Sequence, residues 1–163
     1  MSVAFRRESD DEHLEPKFEL PIPPGPNLVT ARGQAQIRAR VAELETVLQG
    51  LSDEDAIKAT RRDLRYWRNR QATMQLMEDA DAARVSFGST VTFLLNGAER
   101  TVTIVGHDEA DPAAGLLSVS APLSRALMGA EPGDTLDFAN ASDAIVVSIC
   151  VPEGRDDSRI SPK

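Results

Sequence analysis

Sulfur, imidazole and aromatic rings are scarce in this chain. Cys150 is the only cysteine, so no disulfide can close within the chain and no multi-cysteine zinc site can form. The two histidines, His13 and His107, lie far apart, which leaves little material for a histidine-based metal site or a serine–histidine relay. Aromatic residues make up 4% of the chain. No apolar run is long enough to span a bilayer and no signal-like stretch follows Met1, so a cytoplasmic protein with no membrane partner is expected. These absences point away from self-contained catalysis. No catalytic group, metal or cofactor of its own is expected.

What is present is enough apolar residue, 41% of 163 positions, to build a core, together with a net charge of −8. That charge disfavours nonspecific binding to duplex DNA or an anionic membrane unless it is locally segregated. It is segregated: residues 1–27 sum to −3, residues 28–80 to +1 and residues 81–163 to −6. Within the middle part Lys58, Arg61, Arg62, Arg65, Arg68 and Arg70 face one nearby acid, Asp63, which predicts a positive surface on an acidic protein.

Residues 1–27 read as a Pro-rich tail. Pro21, Pro23, Pro24 and Pro26 block helix and ladder formation and favour extended chain. Phe18, Leu20 and Ile22 alternate, which would let part of the tail dock on the folded body. From Thr30, a plausible N-cap, Ile37, Val41, Leu44, Leu48 and Leu51 recur at spacings of four and three along one helical seam. Gly50 interrupts it, and Ser52-Asp53-Glu54-Asp55 has the hydroxyl-then-acid form of a capping motif. A second seam follows with Ile57, Thr60, Leu64, Trp67, Gln71 and Met74, predicting a helix to about Asp79. Two helices with so short a link must be antiparallel, so residues 28–80 predict a coiled-coil hairpin.

Beyond Ala83 the period changes to two. Val91, Phe93 and Leu95 alternate, Asn96-Gly97 supplies a tight turn, and Val102 and Ile104 lie on the returning strand. A strand over Leu116–Val119, a short helix from Pro122 ended by Gly129, a turn at Pro132-Gly133-Asp134 and a last strand over Ala144–Val151 complete the unit. That strand predicts Ile145, Val147, Ile149 and Val151 on one face. The fold class is α+β: a helical hairpin, then a small antiparallel sheet with one short helix over residues 84–152, with 153–163 as a C-terminal tail.

The residues that could carry chemistry are few. Asp53, Glu54 and Asp55 cluster at the hairpin end, where carboxylates can share a divalent cation in company with other ligands, although capping and the helix dipole fully account for them. Arg61, Arg62, Arg65 and Arg68 could contact phosphates or form a solvated face. His107, Asp108, Glu109 and Asp111 have a metal-site composition but read as loop residues without a partner set. Cys150, in an apolar strand, reads as a small packed residue.

From Ser86 to Val151 the chain resembles the C-terminal domain of the Gre-type transcription elongation factors, GreA and GreB. The resemblance rests on residues 85–91, 104–111 and 120–129 and on Pro132-Gly133-Asp134, in that order, and the phrase Leu28-Val29-Thr30-Ala31-Arg32-Gly33 resembles the start of the family's hairpin. It implies an FKBP-like domain that docks at the secondary channel of bacterial RNA polymerase, through Ser120, Ala121, Pro122 and Leu123 with Asp108 and Glu109. The coiled coil would enter the channel. The tip acids Asp53, Glu54 and Asp55 would help hold Mg²⁺ belonging to the polymerase, near the nascent RNA, and so stimulate cleavage of backtracked transcripts. The family's tip phrase is reduced here to Ser52-Asp53-Glu54-Asp55-Ala56. Each arm is also shorter than in GreA or GreB by roughly ten residues, or about 15 Å of reach, as in the Rnk-like members that bind polymerase without supplying cleavage. A monomer is expected. Two other functions compete: an FKBP-type prolyl isomerase, which the shortage of aromatics disfavours, and a coiled-coil adaptor using the Trp67 seam.

Overall fold

The computed structural model describes residues 19–77, 80–138 and 141–150. The readings placed on His13, Phe18, Val151 and the C-terminal tail lie outside them. The element order is β1 (Asn27–Val29), α1 (Ala31–Gly50), α2 (Glu54–Thr73), β2 (Met74–Leu76), β3 (Thr90–Leu95), β4 (Ala98–Val105), β5 (Leu116–Ser118), α3 (Pro122–Leu127), β6 (Thr135–Phe138) and β7 (Ala141–Cys150).

The helix α1 starts where its N-cap is satisfied: the Thr30 hydroxyl accepts from the Gly33 backbone N–H at 3.0 Å. Its apolar seam is most buried near this end, with Ile37, Val41 and Leu44 all under 7% exposed, while Leu48 and Leu51 are only partly covered. Residues 51–53 link α1 to α2, which runs back along it and packs Leu64 and Trp67 against Val41, Leu44 and Leu48. Asp53, rather than Ser52, caps α2 by accepting from the Ala56 N–H at 2.9 Å. A carboxylate at the cap position serves both the free N–H and the positive end of the helix dipole.

The second helix ends at Thr73, earlier than its seam predicts. Met74 turns to extended backbone because Met74–Leu76 finds a partner, pairing in parallel with Asn27–Val29. Asn27 seals the junction: its amide donates to the Arg70 carbonyl at 2.8 Å, one of the groups that a helix C-terminus leaves open, and to the Thr73 hydroxyl at 3.1 Å. The base of the helix pair is thus closed by a two-stranded ladder on which a period-of-3.6 reading has no purchase.

The second sheet has strand order β5-β4-β3-β7-β6. It is mixed, not antiparallel as expected, because β5 runs parallel to β4. The segment 106–115 carries the chain back through two 3₁₀ turns, so β5 enters in the same direction as β4. The β3–β4 hairpin turns at Asn96 (φ 52°) and Gly97 (φ 77°), the left-handed pair that the dipeptide predicts. Between β3 and β7 the register skips Val147: Phe93 pairs with Val146 and Thr92 with Ser148. That bulge breaks the period of two, so Ile145 stands opposite Leu94 whereas Ile149 stands opposite Val91. The core beneath the sheet is Val85, Val91, Phe93, Val102, Ile104, Leu127 and Ala130, with Leu123 and Leu136 among the half-buried residues packed on it.

Candidate functional site

Two carboxylates in the turn after β4 hold the helix pair to the sheet. Asp108 accepts from Arg70 Nε at 2.5 Å through one oxygen and from the Tyr66 hydroxyl through the other. The Arg70 and Asp108 side chains are 4% and 7% exposed. Glu109, also buried, accepts from the Thr30 hydroxyl, 2.9 and 2.7 Å from its two oxygens, with Arg32 at 4.0 Å. Gly33 leaves room for it, since a Cβ there would lie 2.6 Å from Glu109 Oε2. Gly106 allows a similar approach, to the Leu28 carbonyl oxygen. The Tyr66 phenol is pushed up to about 12, chiefly by burial and then by the hydrogen bond it donates to Asp108.

These contacts revise the predicted docking surface. Asp108 and Glu109 are turned inward and bonded within the chain, so its outward part reduces to the turn at residues 120–123. There Ser120 and Pro122 are exposed and Ala121 is partly so, while Leu123 packs against the sheet core. Arg70 likewise leaves the predicted basic run, because it is 3% exposed. Its position three residues after Trp67, on the flank of the apolar seam, was the available signal. Tyr66 completed the arrangement without any motif of its own, and Thr30 was legible only as an N-cap and as part of the phrase at residues 28–33.

The rest of the basic run is less bare than the sequence suggests, since acids arrive both from α2 itself and from elsewhere in the chain. Arg62 pairs with Asp63 at 3.1 Å, Arg68 with Glu45 of α1 at 2.7 Å, Arg65 with Glu19 at 2.6 Å and Lys58 with Asp55 at 3.8 Å. The Arg65 guanidinium is held above its ordinary value, first by the hydrogen bond to Glu19. Arg61 makes no ion pair among the described residues. At the far end of the helix pair, Asp53 is engaged as the cap, and Glu54 and Asp55 project into solvent. Twenty residues of helix separate this tip from the base, about 30 Å at 1.5 Å per residue.

His107 is exposed, and no group of three or more metal-ligating side chains occurs among the described residues. Phe87 and Phe93 are buried in the body of the protein. No helix among the described residues is long and apolar enough to cross a membrane.

Residues 80–150 match the family model described as "Transcription elongation factor, GreA/GreB, C-term". A curated GreA of Cereibacter sphaeroides is 45% identical over 73 residues, 41% of this chain; the match spans about half, 48%, of that relative's length. A GreA of Pseudomonas putida is 29% identical over 151 residues, covering 91% of this chain and 92% of the relative. Among solved structures, the GreA factor homolog Gfh1 of Thermus thermophilus is 18% identical with a TM-score of 0.38, covering 77% of this chain and 99% of that one. A likeness at that level fixes neither fold nor function.

Proposed function

We propose that this chain, whose residues 80–150 match the model of the GreA/GreB C-terminal domain, is a transcription elongation factor of that family that docks on bacterial RNA polymerase and regulates transcript elongation. The observation that carries this reading is the sequence match itself, which takes in the exposed turn at Ser120 and Pro122. In this reading the sheet with α3 is the FKBP-like docking module. The helix pair is the antiparallel coiled coil that enters the secondary channel, and the protein acts on the polymerase rather than as an enzyme. Prolyl isomerase activity gains no support from Phe87 and Phe93, which are buried.

The base contacts suit this role. A probe inserted into a channel transmits its docking orientation to its tip only if the joint is stiff, and the joint here is two buried carboxylates with three hydrogen-bond donors from the helix side. At the tip, Glu54 and Asp55 are the acids with outward-facing oxygens. They would be the ligands offered to Mg²⁺ held by the polymerase, with Asp53 fixing the turn that presents them.

The test is a stalled, backtracked elongation complex incubated with the chain. The expected result is a changed fraction of complexes resuming synthesis. Shortened RNA assigns stimulation of cleavage, and resumption altered without shortening assigns channel occupation by a tip that stops short of the metal. No change in either overturns the reading.

A further inference from the structure

Residues 19–26 form a strap, neither helix nor strand, that runs from the middle of α2 to the base of the helix pair. Both ends are tied. Glu19 accepts from Arg65 at 2.6 Å, and Asn27, just past the other end, donates to the Arg70 carbonyl at 2.8 Å. Between those ties Pro23, Pro24 and Pro26 line a crevice together with Ser118, Val119 and Ser120. The crevice holds about 30 Å³, room for about two waters, so the strap lies close beside the turn that leads into α3. Leu20 and Ile22 project from the strap, 37% and 51% exposed.

We propose that this strap is the second half of the docking surface, covered by the same face of RNA polymerase that takes the turn at residues 120–122. The inference rests on the polymerase reading and deepens it. Area is the first argument. A stable protein contact covers roughly 800 Å² on each partner. With Asp108 and Glu109 turned inward and Leu123 on the core, the turn offers only Ser120, Ala121 and Pro122, three small residues that cannot supply such an area. The crevice makes the strap their immediate neighbour. Stiffness is the second argument. A segment tied at both ends and holding four prolines has little conformational freedom left to lose on binding. Those prolines also carry no backbone N–H that an interface would bury unpaired. Leu20 and Ile22 set the chemistry of the covering face, which is apolar where it meets them.

The experiment uses the full chain and core polymerase, with affinity and photo-crosslinking as separate readouts. L20S/I22S is expected to bind about fivefold more weakly than wild type, from the loss of covered apolar area. L20M/I22V, which keeps that area, should bind as wild type does. A photoreactive benzoylphenylalanine in place of Ile22 should crosslink to polymerase, and excess unmodified wild type should suppress the crosslink. A complex that forms without a crosslink from position 22 overturns the inference, and so does L20S/I22S binding as tightly as wild type. Either result leaves the polymerase reading standing. Weakened binding by L20S/I22S with no crosslink assigns the two side chains a merely structural role and likewise overturns it. No complex with the wild type overturns the inference and the polymerase reading together.

Discussion

Arg70 and Asp108 form an ion pair, 2.5 Å from Nε to Oδ2, between the second helix and the turn after β4, with both side chains almost wholly out of solvent. Removing one partner of such a pair leaves the other charge buried and uncompensated, a cost of about 3–5 kcal/mol. Arg70→Met and Asp108→Asn are therefore each expected to lower unfolding free energy by about 3 kcal/mol or more in urea titrations. Glu19→Gln, at the exposed Arg65 pair, should cost less than about 1 kcal/mol. Equal small effects at both sites would show that the joint is not held by this pair.

The cradle at Gly33 makes a second, steric prediction. Gly33→Ala places a methyl group against the Glu109 carboxylate, which must shift and so loosen its hydrogen bond from Thr30. A loss of about 1–3 kcal/mol is expected from the clash. Gly50→Ala, where nothing lies within 4 Å, should be neutral or stabilising by up to about 1 kcal/mol from helix propensity. Chemical denaturation of the two variants side by side checks the contrast.

Tyr66 is the only tyrosine, so the ultraviolet phenolate signal belongs to it alone. Its folded value of about 12 lies above the ordinary 10.0. Below pH 10 both folded and unfolded states keep the proton and the contribution to stability is complete. Between pH 10 and 12 the unfolded chain ionises first, so stability falls as pH rises. The folded protein should show a phenolate titration displaced upward, and Tyr66→Phe should reduce the alkaline loss of stability. A titration at the ordinary value would contradict the buried bond to Asp108.

At the tip the three acids are expected to separate. Asp53→Ala removes the cap of α2 and should cost about 1 kcal/mol of stability. Glu54→Gln with Asp55→Asn should cost less than about 1 kcal/mol each, through the helix dipole alone. The pair should nonetheless lose any stimulation of RNA cleavage in a backtracked elongation complex while retaining polymerase binding. Loss of effect in Asp53→Ala alone, with Glu54 and Asp55 dispensable, would reverse the assignment.

The helical seam, the Asn96-Gly97 turn and the Pro122 helix were legible because each depends on residues close in sequence. The ladder between Asn27–Val29 and Met74–Leu76 was not, since neither three-residue strand has enough length for a period and each exists only through the other. The same holds for the parallel entry of β5 and for the skipped Val147, which are set by neighbouring strands. At the site, Asp108 and Glu109 stood out as acids in a loop, but their partners Arg70, Tyr66 and Thr30 are 38, 42 and 79 residues away. Charge counting along the chain could not find Glu45 and Glu19 beside Arg68 and Arg65 for the same reason.

Docking on RNA polymerase through the exposed turn before α3 is tested by equilibrium binding of the full chain to core polymerase. Pro122→Arg is the informative variant, because Pro122 is exposed and the change leaves the core alone, whereas Leu123→Asp would put a charge against the sheet core. A saturable complex is expected with the wild type, and at least about tenfold weaker binding by folded Pro122→Arg, from the loss of roughly 1.4 kcal/mol at a buried contact. A wild-type chain that forms no complex with core polymerase, or a variant that binds as tightly as the wild type, would contradict it.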